Sequence, residues 1–536
     1  MVMKRSWQNI AIGLVVVATL YLVFFAQVIS RKGSAQTDNP PTKQRRIIVN
    51  DDGEVGMGKD VLGMHKGTII NTVEDFLAER FDDCLNTQVD SYFLNINGTD
   101  RGPVHDGHVL NQPQSTMAQF FYWGERGQIH PDTDKMTRAL IDRAHENGME
   151  VFASIRMNDI HDSWKPKLSY PLKLQRPDLL LGEKHGANIH PEDSMMYYFW
   201  SALNYAKPEV REHFREFIVG CCREYDYDGV ELDFFRHPHF FRPGEVEQNI
   251  DTMTELVRQI RKDLNEIGSQ RGKDYLLTVR PLDTPSMSIR SGLDVESWLK
   301  EGLLDMLMVG GGYLPYASRL KEFIDMAHSY GIPAYPAINH LDSPIEAASK
   351  ASNFWALGAD GVYVFNYSSD NWKPTGETDN FKGAFSKVPH QLGSPDTLLG
   401  VDKEYLPDNG LQLPYCGHNI LPERFPVAIV YGIPIELVVG DDIHKAATMG
   451  ILKDIQLAIS VENLETQEEI IVKINGKKVP APDIKRTNDQ QFDATVQPSF
   501  LRRGINEIVI VPGLHSIGRI SSVVTGFTLA VNYNEK

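Results

Sequence analysis

The sequence predicts an α/β protein in which an eight-stranded parallel barrel, the (β/α)8 or TIM barrel, is followed by a smaller all-β sandwich domain. In residues 45–394, short apolar strands alternate with amphipathic helices in eight units. Continuously apolar strands are typical of a parallel sheet covered by helices, and eight of them close a barrel. After residue 422 the pattern changes to strand-like runs separated by turn residues. A doubly wound open sheet is the alternative for the first domain, but no GxGxxG motif follows its first strand.

The units of the first domain can be placed one by one from the apolar pattern. The helix at 133–147 has Met136, Leu140 and Ala144 on one face, as the helical period requires. The helix at 208–225 begins with a proline in its first turn. The strands are predicted at 46–49, 91–97, 150–156, 275–280, 304–309, 333–338 and 361–365, and the fourth strand begins at 227. The other helices are predicted at 72–80, 245–267, 318–330 and 344–357.

The remainder of the chain has a different character. Residues 395–422 are irregular and contain Pro and Gly, which indicates a linker, and residues 423–536 are predicted to form the β-sandwich. Within this domain, Asn475-Gly476 is a dipeptide typical of a tight hairpin turn. The predicted strands of the domain are 425–431, 435–439, 455–461, 469–474, 506–511 and 523–533.

The N-terminus predicts a membrane segment. Residues 10–29 carry no charge and are long enough to cross a bilayer as a helix, between a tail at 1–9 and a polar linker at 30–44. A cleaved signal peptide normally has a shorter apolar region and a small-residue cleavage site, so an uncleaved transmembrane anchor is favoured. We therefore expect a membrane-anchored protein with an extracytoplasmic catalytic domain, periplasmic or at the cell surface. The domain is secreted if the segment is cleaved.

Composition excludes one broad class of partner. Lys and Arg number 54 against 71 Asp and Glu, which gives a net charge of −17 along the chain. Nucleic-acid-binding proteins carry basic stripes with interleaved aromatics, and this chain has none, so no nucleic-acid partner is expected. Four cysteines without a CxxC spacing indicate neither zinc binding nor redox chemistry. No cofactor or metal is predicted, and the sequence leaves the oligomeric state open.

Polar residues follow all eight predicted strands. The active site of such a barrel lies at the carboxyl ends of its strands, so polar endings on every strand favour a site over a merely polar surface. The candidates for substrate binding are Asp51, Asp52, Asn97, Arg156, Asn158, Asp159, Arg236, His237, Arg280, Tyr313, Asn339, His340 and Asn366.

The fourth strand carries the two candidate catalytic residues, Glu231 and Asp233. Side chains alternate along a strand, so both carboxyl groups lie on one face, opposite Val230 and Leu232. Buried carboxylates are costly unless they are paired or used, and two of them can divide the roles of proton donor and nucleophile or base. Asp233 is the candidate nucleophile or base and Glu231 its partner. The structural alternative is that Asp233 forms an ion pair with one of three arginines, Arg156, Arg236 or Arg280.

The identity of the second carboxylate stays open in the sequence. Glu231 is nearest to Asp233 along the chain, and its rivals are Asp51, Asp52, Asp159, Asp283 and Asp342. The separation of the two carboxyl groups, which distinguishes retaining from inverting hydrolysis, cannot be obtained from spacing in the sequence.

The motif Asp228-Gly-Val-Glu-Leu-Asp233 resembles the fourth strand of several sugar-hydrolase barrels. In chitinase-type enzymes the pattern continues, after one residue, to a catalytic Glu, and this chain has Phe235 there. In barrels of the α-amylase and α-galactosidase kind, an Asp at the end of strand four is the nucleophile. The resemblance therefore implies a nucleophilic role for Asp233 and argues against the chitinase-type mechanism.

Residues 45–390 as a whole resemble the family-10-like glycosyl-hydrolase-like barrels. The segments 152–159 and 229–236 carry this resemblance, which implies a barrel fold and a carbohydrate substrate. The segment 501–511 resembles accessory sandwich domains appended to carbohydrate-active enzymes.

The sequence therefore favours a glycoside hydrolase that cleaves a poly- or oligosaccharide by carboxylate chemistry at the barrel mouth. A non-catalytic carbohydrate-binding protein is the alternative from another class. A metal-dependent deacetylase is a third hypothesis. The segment 49–53 faintly resembles the first-strand motif of such enzymes, and histidines are frequent near the strand ends. No HExxH pair supports the metal reading.

Overall fold

The computed structural model describes residues 43–51, 72–96, 133–163, 171–183, 195–311, 317–338, 343–365, 367, 388–408, 425–513 and 521–534. Within these residues, no helix is both long enough and apolar enough to cross a membrane. The predicted span at 10–29 lies outside them. The membrane anchor therefore stays a prediction.

Eight parallel strands form a closed barrel in the first domain. Each strand pairs with the next along the chain, and the eighth pairs with the first, so the sheet closes on itself. The strands are β1 (Ile47–Asp51), β2 (Val89–Asn95), β3 (Glu150–Arg156), β4 (Gly229–Asp233), β5 (Leu276–Arg280), β6 (Met306–Val309), β7 (Ala334–Ile338) and β8 (Val362–Val364). The predicted barrel is confirmed, and the open sheet is excluded.

Helices cover the outer face of this barrel. They are α1 (Val73–Arg80), α2 (Thr133–Glu146), α3 (Pro171–Gln175), α4 (Pro208–Glu224), α5 (Ile250–Arg271), α6 (Pro285–Arg290), α7 (Val295–Lys300), α8 (Ala317–Ser329), α9 (Pro344–Ala356), α10 (Val388–Gln391) and α11 (Pro395–Leu398). Helix α4 begins at its proline and buries Val210, Phe214 and Ile218. Helix α5 ends at Gly272, whose φ of 71° is a left-handed conformation that glycine adopts without strain.

The two faces of each barrel strand have different environments. On β4, Val230 and Leu232 belong to the large apolar core between strands and helices. Glu231 and Asp233 alternate with them and are fully buried on the inner face. The inner face also has a small apolar cluster that includes Phe93, Phe152 and Tyr363. This cluster is the floor of the barrel interior, and the polar interior residues of β4 lie on the side nearer the carboxyl ends of the strands.

Two antiparallel sheets form the second domain. Its elements are β9 (Lys403–Tyr405), β10 (Val427–Ala428), β11 (Ile435–Val439), α12 (Ile443–Thr448), β12 (Leu452–Glu462), β13 (Ile470–Ile474), β14 (Lys477–Lys478), β15 (Ile484–Asn488), β16 (Gln491–Thr495), β17 (Gly504–Pro512) and β18 (Val523–Tyr533). One sheet has the order β10-β18-β12-β16-β15 with β9 paired to β18, and the other has the order β11-β17-β13-β14. Both sheets contribute to one apolar core, as in a β-sandwich.

Some elements of this domain differ from the prediction. The predicted linker at 395–422 contains α11 and β9, because the charged, three-residue β9 acquires its strand conformation only by pairing with β18. Strands β15 and β16 were not predicted from the sequence, because both are rich in polar residues. The hairpin turn is confirmed, with positive φ at Asn475 and Gly476 between β13 and β14.

The β-sandwich packs directly against the barrel helix α9. The Ser349 hydroxyl accepts a hydrogen bond from the backbone N–H of Glu404 at 2.9 Å, and the Tyr405 hydroxyl donates to Ser352 at 3.3 Å. A Cβ atom at Gly440 would lie 2.1 Å from the Ser352 backbone, so only glycine permits this approach. Lys403 is buried there and pairs with Asp441 at 2.9 Å.

Candidate active site

The parallel register places the candidate residues in two levels inside the barrel. Asp233 on β4 lies between Arg156 on β3 and Arg280 on β5. One level closer to the barrel floor, Glu231 lies between Ser154 and Thr278. The side chains of strand residues two apart share a face, so both levels open toward the same interior.

Asp233 is held by an ion pair with Arg280. The Arg280 Nε atom donates to Asp233 Oδ1 at 3.0 Å, and Nη2 donates to Oδ2 at 2.7 Å. The backbone N–H groups of Phe235 and Arg236 also donate to Oδ1, at 3.0 and 3.2 Å. Two of these four hydrogen bonds come from the guanidinium group of Arg280, which binds the Asp233 carboxyl group in a bidentate manner. Of the three arginines considered from the sequence, Arg280 is the one that makes this pair.

Aromatic rings enclose the guanidinium group of Arg280. Its Cζ atom lies 3.6 Å from the ring centroid of Phe365 and 5.3 Å from that of Phe235. The Phe235 ring lies so close to Gly311 that a Cβ atom there would be 1.9 Å from Cε1. Phe235, at the position of the chitinase-type catalytic Glu, is therefore an apolar residue packed beside the Asp233–Arg280 pair.

Glu231 has a contrasting environment. Its Oε2 atom accepts hydrogen bonds from the Ser154 hydroxyl at 2.5 Å and from the Tyr363 hydroxyl at 3.0 Å, with Asn50 Nδ2 at 3.5 Å. Its Oε1 atom is buried and has no hydrogen-bond partner among the described residues. No cation pairs directly with this carboxyl group in the described part of the chain.

Burial keeps Glu231 neutral over a wider pH range than an ordinary glutamate. Desolvation, followed by the negative charge of Asp233, raises the pKa of Glu231 from 4.5 to about 7. Arg280 and the hydrogen bonds from Ser154 and Tyr363 oppose this rise without cancelling it. The level of Asp233 thus carries a carboxyl group paired with a guanidinium, and the level below it carries a carboxyl group that binds a proton near neutral pH.

Asp283, one of the rivals for the second carboxylate, is also buried near this pair. Its Oδ1 atom accepts the backbone N–H of Gly311 at 3.2 Å, and its Oδ2 atom has no hydrogen-bond partner among the described residues. Burial raises the pKa of Asp283 to about 6, against the opposing effects of the Gly311 N–H and Arg280.

The first strand places Asn50, and not Asp51, in the barrel interior. Asn50 Nδ2 donates to the Ser154 hydroxyl at 3.1 Å. Asp51 points to the other face, where it accepts a hydrogen bond from Tyr92 at 2.5 Å and lies 3.4 Å from Arg80. The structure therefore does not bring Asp51 to the Glu231–Asp233 pair. Side chains alternate along β1, so only one of Asn50 and Asp51 can face the barrel interior. The sequence did not show which of the two it would be.

The segment after β3 is held by its own hydrogen bonds. Arg156 Nη1 donates to Asp159 Oδ2 at 3.0 Å, and both side chains are buried. The Asn158 amide donates to the backbone carbonyls of Leu203 and His239 and accepts the Leu203 N–H. Asn158 therefore ties two loops together, and its amide is occupied by backbone groups.

The loop after β4 contributes Arg236 and His237. Arg236 is partly exposed, and its backbone N–H contacts Asp233. His237 is buried, with its ring centroid 6.1 Å from that of Phe199. The remaining candidates lie outside the described residues and stay predictions; they are Asp52, Asn97, Tyr313, Asn339, His340 and Asn366.

A metal-dependent deacetylase requires a cluster of side chains that can bind a metal ion. Within the described ranges, no group of three or more His, Cys, Asp or Glu side chains is arranged to hold a metal ion. Asp52 and His340, two residues that this reading would use, lie outside those ranges.

Comparison with known proteins gives similarity in structure only. No protein-family model matches the chain, and no curated protein is significantly similar to it. Among solved structures, the glycoside hydrolase domain of PgaB (BpsB) from Bordetella bronchiseptica is 11% identical over 65% of this chain and 99% of that chain, with a TM-score of 0.39. An alpha-L-fucosidase from Paenibacillus thiaminolyticus is 13% identical over 65% of this chain and 48% of that chain, also with a TM-score of 0.39.

A chitinase from Bacillus thuringiensis is a third similar structure, 11% identical over 90% of this chain and 100% of that chain, with a TM-score of 0.34. At such identities and TM-scores the likeness carries no argument about the function of this chain. The family-10-like resemblance stays a prediction. The functional conclusion must therefore rest on the residues of the barrel interior.

Proposed function

We propose that the protein is a glycoside hydrolase in which Asp233 acts as nucleophile or base and Glu231 is its proton-holding partner. The observation that carries this proposal is the contrast between the two carboxyl groups on β4. Asp233 is paired with Arg280, whereas Glu231 is buried with no cation bonded to it among the described residues and has a raised pKa. Environments that push two carboxyl groups toward opposite protonation states are typical of acid/base pairs.

The chemistry of glycoside hydrolysis requires this division of roles. One carboxyl group must carry a proton for the leaving oxygen, and another must be ionised to attack or to activate water. Asp233 and Glu231 leave one strand face two residues apart, which puts their Cα atoms roughly 6.6 Å from each other. The motif Asp228-Gly-Val-Glu-Leu-Asp233, with its resemblance to sugar-hydrolase barrels, supports a carbohydrate substrate.

In this proposal, residues at the carboxyl ends of the strands bind the substrate. Arg236 is partly exposed directly after β4 and is the described residue best placed to bind a sugar hydroxyl. We assign the same role to His340 and to the other candidates outside the described residues. Asn158 is assigned to loop support instead, because its amide is already bonded to backbone groups.

A non-catalytic carbohydrate-binding protein is the second candidate function, and one observation favours it. Asp233 accepts four hydrogen bonds, two of them from Arg280. A carboxylate this fully bonded is a weaker nucleophile than a free one, and the pair could serve to hold the barrel together. Under this alternative the protein binds glycans and releases no product.

The test is a turnover assay of the full chain against a panel of polysaccharides, with matched variants at the two ends of β4. Asp233→Asn should lower turnover at least about 1,000-fold, because it removes the ionised carboxylate. The control is Asp228→Asn, since Asp228 lies at the opposite end of the strand and pairs with His145 and Lys273. Thermal unfolding of both variants checks that the fold is kept.

Three outcomes separate the alternatives. Full turnover by Asp233→Asn contradicts the assignment of Asp233. Glycan binding without product, unchanged in Asp233→Asn, supports the binding protein. Release of acetate that stops with EDTA supports the metal-dependent deacetylase.

We also propose that the catalytic domain is extracytoplasmic and anchored through residues 10–29. This part of the proposal rests on the uncharged length of that segment. Fractionation of cells expressing the full chain, with protease protection of the C-terminal domain as the control, tests it. A barrel that stays in the soluble cytoplasmic fraction contradicts it.

A further inference from the structure

The two oxygens of the Glu231 carboxyl group have unequal surroundings. Oε2 is contacted by the Ser154 and Tyr363 hydroxyls at 2.5 and 3.0 Å, and by the Asn50 amide nitrogen at 3.5 Å. Oε1 is buried and has no hydrogen-bond partner among the described residues. These three donors come from β3, β8 and β1, so their convergence is a product of barrel closure.

The direction of each hydrogen bond is fixed by chemistry. Asn50 Nδ2 can only donate, so the Ser154 oxygen accepts from it at 3.1 Å and the Ser154 hydrogen is left for Glu231 Oε2. Tyr363 is fully buried, and burial together with the Glu231 charge holds its pKa well above the ordinary value. Its hydroxyl therefore keeps its hydrogen and donates it to the same oxygen.

An oxygen that already accepts hydrogen bonds is the poorer place for a further proton. Its lone pairs are engaged, and the donors stabilise negative charge on that atom. The charged and titratable groups facing Glu231 are Asp233 on its own strand, Arg280 on β5 and Tyr363 on β8. Arg156 on β3 is in register with Asp233 and is occupied by Asp159.

From this geometry we propose that Asn50, Ser154 and Tyr363 are positioning residues that direct the proton of Glu231 to its Oε1 atom. The inference rests on the proposed function, in which Glu231 holds the proton used with Asp233. Ser154 and Tyr363 act on Oε2 directly, and Asn50 acts mainly through Ser154. No sequence motif pointed to these three residues, because they are brought to Glu231 from strands up to 181 positions away.

The experiment follows the protonated carboxyl of Glu231 without a substrate, by infrared difference spectroscopy of the full chain over a pH range. The Glu231→Gln variant identifies the carbonyl band that belongs to this group. Ser154→Ala and Tyr363→Phe each remove a donor that stabilises the carboxylate, so each should raise the titration midpoint by about one pH unit. If the proton is on Oε1, then Oε2 is the carbonyl oxygen of the acid, and loss of either donor should also shift its carbonyl band to higher frequency. Asn50→Ala should raise the midpoint less. Ser154→Thr keeps a hydroxyl group at this position, so its midpoint should equal that of the parent protein.

Two variants provide matched controls at nearby positions. Thr278→Val removes a hydroxyl from the same level of the barrel, but that hydroxyl donates to the Met306 carbonyl at 3.0 Å. Tyr335→Phe removes a buried phenol that interacts with Arg45. Both controls should leave the Glu231 midpoint unchanged.

The inference is overturned if no band is lost in Glu231→Gln, or if the donor variants shift the midpoint or the carbonyl frequency no more than the controls do. Its failure is distinguishable from failure of the proposed function. A midpoint and a carbonyl frequency that respond as expected, together with full turnover by Asp233→Asn, keep the proton placement and remove the catalytic assignment.

Discussion

Glu150 and Glu231 are two glutamates buried inside the same barrel, on the neighbouring strands β3 and β4, and their surroundings differ sharply. Glu150 lies at the amino end of its strand, where Arg45 makes a bidentate contact at 2.7 and 2.9 Å. Ser91 adds a third hydrogen bond at 2.7 Å. Glu231, which is nearer the carboxyl ends of the strands, has hydroxyl donors on one oxygen and no described partner on the other.

The difference separates a structural carboxylate from a candidate functional one. Both oxygens of Glu150 are bonded and its charge is matched, which suits the amino end of a barrel, where residues serve stability. The desolvation penalty of Glu231 is only partly offset by Arg280 and by its two hydroxyl donors, and a purely structural role would not require such a penalty. Burial alone therefore does not indicate function, whereas the incomplete charge matching of Glu231 supports a functional role for that residue.

The largest expected effect is a difference in stability between two glutamine substitutions. Glu150→Gln leaves the Arg45 guanidinium buried without its counter-charge, and should lower the free energy of unfolding by about 3–5 kcal/mol. Glu231→Gln replaces a neutral acid by a neutral amide in the folded state, and at pH 6 it also removes a group that ionises on unfolding, so it should raise the free energy of unfolding by about 2 kcal/mol. Urea unfolding at pH 6 measures both. Equal losses in the two variants would remove the distinction.

The next effect is on the pH dependence of stability. Glu231 has an ordinary pKa of 4.5 when unfolded and about 7 when folded, so the folded state binds the extra proton in this window. Stability contributed by the protonated group is complete below pH 4.5 and is lost as pH rises through 7. The free energy of unfolding of the parent protein, relative to Glu231→Gln, should therefore fall by about 3 kcal/mol between pH 4.5 and pH 8.

Urea unfolding series of the two proteins at several pH values measure this fall, and the subtraction cancels the contribution of Asp283 and other groups. The matching series for Glu150→Gln serves as the control and should retain the decline seen in the parent. A flat difference between the parent and Glu231→Gln would contradict the raised pKa.

The smallest expected effect comes from the two serines that contact these glutamates. Ser91→Ala and Ser154→Ala each remove one hydrogen bond to a buried carboxyl group, and each should cost about 1 kcal/mol at pH 6. Only Ser154→Ala should change the pH dependence of unfolding, by moving the decline to higher pH. A similar change in Ser91→Ala would show that the two glutamates respond alike.

Local pattern was sufficient to predict much of the fold. Eight apolar strands followed by helical patterns predicted the barrel, and alternation predicted that Glu231 and Asp233 share a face. Prediction was poorest where an element depends on a distant partner. Strand β9 forms on β18, more than 100 residues away, so nothing within its three residues marked it as a strand.

The candidate site shows the same division. The sequence indicated Asp233 as the main candidate and left three arginines as its possible ion-pair partners. In the barrel, strand register places Arg280 beside Asp233, and Arg280 makes the ion pair. The sequence indicated Asp51 as a candidate because carboxylates often take part in catalysis, whereas in the structure Asn50 faces the barrel interior.

The sequence by itself determined which residues form the eight barrel strands and which side chains share a face, because both follow from spacing between neighbours along the chain. Only the tertiary structure decided which groups face one another inside the barrel. Those contacts depend on closure and stagger of eight strands, which bring Asn50, Ser154 and Tyr363 to one oxygen of Glu231. The protonation of that carboxyl group is accordingly a property of the closed barrel.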